Sequence, residues 1–337
     1  MAAIDAKHIG LTYSDGTQAV EDVTLEVPEG EFFGFLGPNG AGKTTTIKTL
    51  VTLLQPTDGD ITVNGYDVES NPQSVRESIG YMAQETSVDE ELTARENIQF
   101  ACEAYGVPKA ERAERIDELL DLVDLADVAD KVAKEFSGGM KKRLDVATAL
   151  VHSPPLVFLD EPTTGLDPKA RIRLWEYFRD INERGTTVFL TTQYLEEADE
   201  LCDRLSVIQD GTIVATDSPD TLKSQVGGDM LEISLDDPTD EMKTSARRVA
   251  RDAGLFEEGT IETTDEGISV ASEHARQGGT DLLVALRDAD ITVTGFDVRS
   301  PTLDDVFLAI TGEPASNEKE NDNTTESYVE QEQEVVQ

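Results

Sequence analysis

The segment from Glu31 to Leu54 restricts the possible folds of this chain more than any other. The apolar run Phe32–Leu36 is typical of a buried strand, and a helical pattern extends from Thr44 to Leu54. Between them lies the glycine-rich sequence Gly-Pro-Asn-Gly-Ala-Gly-Lys-Thr, residues 37–44. Strand, loop and helix in this order predict an anion-binding loop at a helix N-terminus, within an α/β fold.

Each residue type in this loop has a chemical reason to be there. Glycines let backbone N–H groups close around phosphate oxygens, and we expect Gly37, Gly40 and Gly42 to need either space or a positive φ. Lys43 would place a charge on the β and γ phosphates, and the Thr44 hydroxyl would ligate Mg²⁺. A glycine-rich turn without a ligand would not need the full pattern. We therefore predict that the phosphates of a nucleotide are bound by nine consecutive residues: Gly37, Pro38, Asn39, Gly40, Ala41, Gly42, Lys43, Thr44 and Thr45.

A pair of acids follows a second apolar run much later in the chain. Leu156–Leu159 has the unbroken apolar character of a central parallel strand, and Asp160, Glu161 and Pro162 come directly after it. We expect Asp160 to hold Mg²⁺ and Glu161 to activate the attacking water, with Lys43 neutralising charge. An acidic turn at a strand end is the alternative, and the upstream phosphate loop argues against it.

The order of these motifs resembles the ATP-binding subunits of ABC transporters, because Ser137-Gly138-Gly139 lies ahead of Asp160-Glu161. The resemblance covers about two thirds of the chain. It implies a P-loop NTPase core of ABC type, with an antiparallel β subdomain and a helical insert. It also implies a head-to-tail dimer in which Ser137 and Gly139 of one subunit contact the γ-phosphate held by the other, while Gly138 exposes its N–H. Taken alone, Ser137 would be an ordinary helix cap.

Three further residues match the family position by position, and a fourth departs from it. Tyr13 resembles the aromatic residue that stacks on adenine, although a lone tyrosine is more often a packing residue. Gln84 resembles the glutamine that reaches Mg²⁺ and the reacting water, and Asp167 resembles the residue that crosses the dimer interface. Gln193 stands where most members have a histidine that contacts the γ-phosphate. Its amide can donate that hydrogen bond but cannot titrate.

Three segments resemble the daunorubicin/doxorubicin-resistance subfamily of drug-efflux ATPases. They are Phe136–Asp145, Gln193–Asp199 and Pro301–Leu308. Taken alone, the last segment is an amphipathic helix with a threonine cap. The motifs belong to nucleotide chemistry and not to the transported solute, so the resemblance leaves the solute open.

Composition limits where such a chain can work. The 337 residues are 38% hydrophobic, but no apolar run approaches the roughly eighteen residues that cross a bilayer, and the first residues lack the pattern of a signal peptide. We therefore expect a cytoplasmic subunit, peripheral on the inner face of the cell membrane, that works with a separately encoded integral membrane permease. The ATP-binding subunits would form either a homodimer or a heterodimer.

The net charge is strongly negative. Sixty-nine acidic residues stand against 28 basic ones, giving a formal charge of -41. This charge argues against nucleic acid as a partner and favours a halophilic setting, since the Debye length is only about 3 Å at 1 M salt. An acidic protein that is indifferent to salt is the alternative.

The pattern along the chain predicts three parts. Residues 1–225 form the ATP-binding domain with a helical insert at about 85–155, residues 226–312 form a small α+β domain, and residues 313–337 form an acidic disordered tail. The small domain would either dock partners or only stabilise the fold. The predicted function is ATP hydrolysis, with ATP and Mg²⁺, that energises export of a drug, lipid or other hydrophobic solute. The alternatives are a soluble ABC-type ATPase without a membrane partner and a catalytically silent regulatory module.

Overall fold

The computed structural model describes residues 1–225, 228–256 and 259–311. The predicted acidic tail, residues 313–337, and the predicted domain boundary at residue 226 lie outside the described residues. None of the helices in the described part of the chain combines the length and the apolar character needed to cross a bilayer.

A large mixed sheet is the centre of the fold. Its ten strands are β1 Ala2–Thr12, β2 Gln18–Pro28, β3 Phe32–Leu36, β4 Asp58–Val63, β5 Tyr66–Asp67, β6 Ile79–Met82, β7 Leu156–Asp160, β8 Thr187–Thr192, β9 Arg204–Gln209 and β10 Thr212–Asp217. They are arranged in the order β5-β4-β1-β2-β10-β9-β3-β8-β7-β6. Strands β9, β3, β8, β7 and β6 run parallel, whereas β2, β1, β4 and β5 pair antiparallel. The predicted parallel core and antiparallel subdomain are confirmed.

The parallel strands bring the predicted site to one edge of the sheet. Strands β3, β7 and β8 are buried along their whole length, as expected for strands covered on both faces. Because they are neighbours and parallel, the loops that follow them emerge side by side. Strands β4 and β5 pair antiparallel as a hairpin. Asn64 (φ 49°) and Gly65 (φ 79°) form the tight turn between them.

Eight helices surround this sheet in the first 225 residues. They are α1 Lys43–Leu50, α2 Pro72–Ser78, α3 Ala94–Ala104, α4 Arg112–Leu122, α5 Gly138–Ala149, α6 Pro168–Glu183, α7 Leu195–Leu201 and α8 Pro219–Gln225. Helices α3, α4 and α5 form the predicted helical insert between β6 and β7. Helix α3 begins with a capping box in which Thr93 and Glu96 exchange side-chain and backbone hydrogen bonds.

A second, antiparallel sheet follows, with the order β12-β13-β11-β14. This region consists of β11 Asp229–Leu235, α9 Asp240–Asp252, β12 Thr260–Thr263, β13 Gly267–Ser272, α10 Ala275–Asp288, β14 Val293–Arg299 and α11 Leu303–Thr311. Helices α9 and α10 share an apolar cluster with the sheet, as the α+β prediction requires. The sequence does not predict α10, because Gly278 and Gly279 weaken its helical pattern. A Cβ at Gly278 would lie 2.7 Å from the Phe256 ring and one at Gly279 would lie 2.9 Å from the Phe296 ring, so a side chain at either position would displace a ring.

Helix α11 packs against helices of the first 225 residues. Leu303, Val306 and Phe307 of α11 are buried in the same apolar cluster as Leu201 of α7 and Leu222 of α8. The residues of α11 therefore complete the hydrophobic core beside the nucleotide-binding part.

An ion-pair cluster holds α11 to the small sheet. Arg299 donates to Glu232 of β11 at 2.9 Å and to Asp305 of α11 at 2.6 Å. Thr302 donates its backbone N–H to the same Asp305 carboxylate at 2.8 Å. The helix thus contacts both parts of the chain.

Candidate functional site: a phosphate loop and two carboxylates

The loop after β3 owes its shape to three glycines, for two different reasons. Gly40 (φ 84°) and Gly42 (φ 107°) occupy the left-handed region, which glycine adopts without strain. Gly37 does not have a positive φ, so backbone conformation does not explain the glycine at this position. A Cβ there would lie 2.4 Å from the carbonyl oxygen of Ile208, so Gly37 is required for space. Ala41 donates its N–H to the Pro38 carbonyl at 3.2 Å, which closes the turn before α1.

Lys43 is folded back into this loop. Its Nζ donates to the carbonyl oxygens of Gly37 at 2.8 Å and Pro38 at 3.2 Å, and lies 3.6 Å from a carboxylate oxygen of Glu161. Only 5% of the residue is exposed. Burial lowers the pKa of Lys43, and the nearby Glu161 charge opposes that shift. The lysine is therefore a poorly hydrated cation within reach of any anion that the loop binds.

Asp160 ends β7 and is fully buried. Its Oδ1 accepts hydrogen bonds from Thr191 at 2.6 Å and from Thr44 at 3.4 Å. Its Oδ2 is buried and has no hydrogen-bond partner among the described residues. Burial raises the pKa of Asp160, and the Thr191 hydrogen bond opposes the shift. A hydroxyl and an unpaired carboxylate oxygen side by side are hard oxygen ligands, so this pair fits Mg²⁺.

Glu161 has a strained backbone. Its φ of 48° is uncommon for a residue other than glycine, and its N–H donates to the Thr191 carbonyl at 3.0 Å and to the Thr191 hydroxyl at 3.2 Å. One carboxylate oxygen accepts from the side-chain amide of Gln84 at 3.0 Å and from Thr164 at 3.4 Å. The structure thus brings the predicted residues Lys43, Gln84 and Glu161 together, in an arrangement that suits activation of a water molecule.

The remaining predicted residues of this edge take two kinds of position. Tyr13 directly follows β1, is 39% exposed, and its hydroxyl lies 3.1 Å from the Thr45 hydroxyl at the start of α1. Its ring is therefore beside the phosphate loop and accessible. Gln193 follows β8, which lies between β3 and β7, so it emerges at the same edge. Its side chain makes no hydrogen bond to the described residues.

Ser137, Gly138, Gly139 and Asp167 form a separate group. Ser137 is exposed and caps α5 by accepting a hydrogen bond from Met140 at 3.3 Å, and Asp167 is exposed and caps α6. Ser137, Gly139 and Asp167 line one shallow cavity of about 250 Å³. No hydrogen bond or ion pair among the described residues joins this group to the phosphate loop.

Two residues near the carboxylates escaped sequence reasoning. Thr191 pairs with Asp160 across β7 and β8 and contacts both acids, but strand register cannot be read from the chain. The Tyr81 hydroxyl is buried without a partner among the described residues. Burial, followed by the Asp160 charge, raises the pKa of Tyr81 to about 12. The only sequence signal for Tyr81 is a hydroxyl-bearing residue in an otherwise apolar strand.

Comparisons with known proteins identify the family of the chain. The family profile described as "ABC transporter" matches residues 20–164, and the profile of the "ATP-binding protein DrrA1-3-like, C-terminal domain" matches residues 218–311. The chain is 41% identical to the daunorubicin/doxorubicin resistance ATP-binding protein DrrA of Streptomyces peucetius, covering 98% of this chain and 97% of that protein. It is 34% identical to the linearmycin resistance ATP-binding protein LnrL of Bacillus subtilis (strain 168), over 92% and 98% of the two chains.

Solved structures extend the likeness to the fold. An ATP-binding subunit of an ABC transporter matches with a TM-score of 0.61 and 33% identity, over 66% of this chain and 92% of that one. A dimeric ATP-binding cassette in a post-hydrolysis state, bound to ADP and Pi, matches with a TM-score of 0.59 and 27% identity, over 64% and 98%. The chain therefore belongs to the ATP-binding subunits of drug- and export-type ABC transporters, in the branch of the daunorubicin/doxorubicin resistance proteins, and it is an ATPase.

Proposed function

We propose that two copies of this chain, or this chain and a close relative, hydrolyse ATP between them to drive export through a separate integral membrane permease. The observation that carries the proposal is that Ser137 is exposed and that no hydrogen bond or ion pair among the described residues joins it to the phosphate loop of its own chain. An exposed serine at a helix N-terminus, with two adjacent glycine N–H groups, is suited to an anion. A second subunit would supply that anion, and the dimeric cassette among the structural neighbours supports this arrangement.

Residues of one chain would bind and polarise the nucleotide. The phosphate loop, residues 37–45, would hold the phosphates, and Lys43 would transfer its contacts from Gly37 and Pro38 to them. The exposed ring of Tyr13 would stack on the adenine. Thr44, Asp160 and Gln84 would hold Mg²⁺, which when bound neutralises phosphate charge. The free Oδ2 of Asp160 supports this role.

Hydrolysis would depend on Glu161 as the base that orients or deprotonates water. Gln84 donates to one of its oxygens and Lys43 lies near the other, so the carboxylate is held in a fixed orientation. Gln193 would donate a hydrogen bond to the γ-phosphate without exchanging a proton. Ser137, Gly138, Gly139 and Asp167 of the opposite subunit would complete the site.

We propose an open groove as the surface for the permease. It has a volume of about 580 Å³ and lies between the strand core and the helical insert, with Tyr81 and Tyr105 in its lining. Leu53 and Tyr105 in this lining are large residues with apolar surface that are 56% and 42% exposed. Tyr81 lies in β6, the strand that leads to Gln84, so a permease segment in this groove would contact the strand directly before the Gln84 loop. The subunit would then sit on the inner face of the membrane.

Three finer points complete the proposal. The solute is a drug, lipid or other hydrophobic molecule, in line with the resistance proteins named above. The chain is divided into an ATP-binding domain, residues 1–225, and an accessory domain, residues 226–312. The charge of -41 suits a salt-rich cytoplasm of the halophilic kind.

The test uses two variants that damage opposite halves of a site. Ser137→Ala should bind a fluorescent ATP analogue normally and lose hydrolysis, whereas Lys43→Ala should lose binding. Mixing the two should restore hydrolysis, up to about one quarter of the wild-type rate, because half of the random dimers carry one intact site. Normal hydrolysis by Ser137→Ala alone contradicts the dimer. Failure of any polytopic membrane protein to co-purify from gently solubilised membranes favours the soluble alternative.

A further inference from the structure

Two charged residues of α5 contact the loop that carries Gln84. Lys142 donates from Nζ to the backbone carbonyl of Gln84 at 2.7 Å. Asp145 accepts from the backbone N–H of Ser87 at 3.2 and 3.4 Å and from the Ser87 hydroxyl. The two residues are three positions apart and therefore lie on one face of the helix. That face is applied to the Gln84 loop.

Asp145 occupies a position where a helix would normally place an apolar side chain. It is 2% exposed and lies between the buried residues Leu144, Val146 and Ala147. Burial raises the pKa of Asp145, while hydrogen bonds from Ser87 and the charge of Lys142 oppose the shift. A buried carboxyl is costly unless its partners are held in place, so these contacts restrict the loop as well as the acid.

Helix α5 also connects the two groups of site residues. Its cap is Ser137, and Asp145 lies eight residues further on, about 12 Å along the axis at the usual helical rise. The Gln84 backbone held by Lys142 carries the side chain that donates to Glu161 at 3.0 Å. One rigid helix thus joins the partner of Glu161 in one ATP site to the serine that would serve the opposite site.

We propose that Lys142 and Asp145 are positioning residues for ATP hydrolysis: they fasten the Gln84 loop to α5, so that Gln84 and Ser137 move together. This inference rests on the dimer of the proposed function. A shift of Ser137 against one nucleotide changes the placement of Gln84 against Glu161 at the other. The two ATP sites are coupled through this contact and not through the phosphate loops.

Lys142→Met is the decisive variant, because it keeps the aliphatic length and removes the ammonium group, which is both the donor to Gln84 and a positive charge near Asp145. Its matched control is Lys109→Met in the helical insert, since Lys109 is exposed and its side chain makes no hydrogen bond or ion pair with the described residues. We expect Lys142→Met to lower kcat roughly 10- to 100-fold, as for a catalytic group misplaced by about 1 Å. The KM for ATP should stay within about twofold, and Lys109→Met should match wild type in both parameters.

Asp145→Asn should behave as Lys142→Met does, and in both variants the Hill coefficient for ATP should fall towards one. A double-mutant cycle separates positioning from general stability. In a Gln84→Ala background, Lys142→Met should cause no further loss of kcat, because its effect passes through Gln84. Should Asp145→Asn fail to fold, the half-buried Lys142 decides the question.

Two results overturn the inference: a wild-type kcat and Hill coefficient in Lys142→Met, or a loss of kcat that adds fully to that of Gln84→Ala. Failure of the proposed function has a different signature. The Ser137→Ala variant would then hydrolyse ATP at the wild-type rate, whatever the effect of substitutions at Lys142.

Discussion

Replacing Glu161 by glutamine removes the negative charge that faces Lys43 in a buried site. The two side chains are 5% and 6% exposed, with Nζ 3.6 Å from Oε1. At an effective dielectric of 20, this pair is worth about 5 kcal/mol of Coulomb attraction. Lys43 keeps its hydrogen bonds to Gly37 and Pro38, so we expect the nucleotide-free variant to lose about 3 kcal/mol of unfolding free energy.

Bound nucleotide should reverse this loss. The phosphates supply negative charge to Lys43, and the variant no longer sets a carboxylate against the γ-phosphate. A non-hydrolysable ATP analogue should therefore stabilise Glu161→Gln more than it stabilises wild type. The apparent affinity should rise at least about tenfold, equivalent to 1.4 kcal/mol. Hydrolysis should fall roughly 10²- to 10⁴-fold, the usual contribution of a general base.

Urea unfolding at constant KCl, with and without the analogue and Mg²⁺, measures both stabilities, and phosphate release measures turnover. Glu196→Gln is the matched control, because Glu196 lies on the exposed face of α7 and the chemical change is the same. Equal stability of nucleotide-free wild type and Glu161→Gln, with equal stabilisation by the analogue, would refute the electrostatic reasoning. Wild-type turnover in the variant would refute the catalytic role.

Three further predictions concern the rest of the chain. Phe307→Ala should lower the unfolding free energy by about 3 to 5 kcal/mol, whereas Leu308→Ala, at a residue 45% exposed, should change it by less than about 1 kcal/mol; equal losses in urea unfolding would contradict the packing of α11. Glu197 is fully buried and accepts a hydrogen bond from Trp175 at 2.9 Å, and burial raises the pKa of Glu197. Its contribution to stability is complete below the ordinary glutamate pKa, where both states are protonated, and is lost as pH rises towards the raised value. Glu197→Gln should remove that decline, as read from tryptophan fluorescence during unfolding, and an unchanged pH slope would contradict it. Finally, the melting temperature should be clearly higher in molar KCl than at low salt, because salt screens the charge of -41; an unchanged midpoint excludes the halophilic hypothesis.

The sequence predicted the structure of a motif wherever one short segment contains all the residues that the motif needs. The phosphate loop needs a strand, three glycines, a lysine and a helix within one continuous stretch, so its pattern predicted its structure. The acids Asp160 and Glu161 were predictable for the same reason, since an unbroken apolar run places them at a strand end. The cap of α5 by Ser137 likewise follows from local helix chemistry.

The sequence did not predict contacts between segments that lie far apart along the chain. Thr191 contacts Asp160 only because β7 and β8 pair in one register, and Asp145 meets Ser87 only because α5 packs on the loop after β6. The core position of α11 was also unpredicted, since an amphipathic helix does not reveal which surface it covers.

Residue order alone was thus sufficient for the fold class, the phosphate loop and the position of Asp160 and Glu161 at a strand end, because each depends on a contiguous motif whose neighbours are set by covalent connection. Folding in three dimensions was needed to separate Ser137 from the phosphate loop of its own chain, to bring Gln84 to Glu161, and to join α5 to both. Those distances result from strand order and helix packing, in which residues far apart in the chain compete for the same space and the same hydrogen bonds.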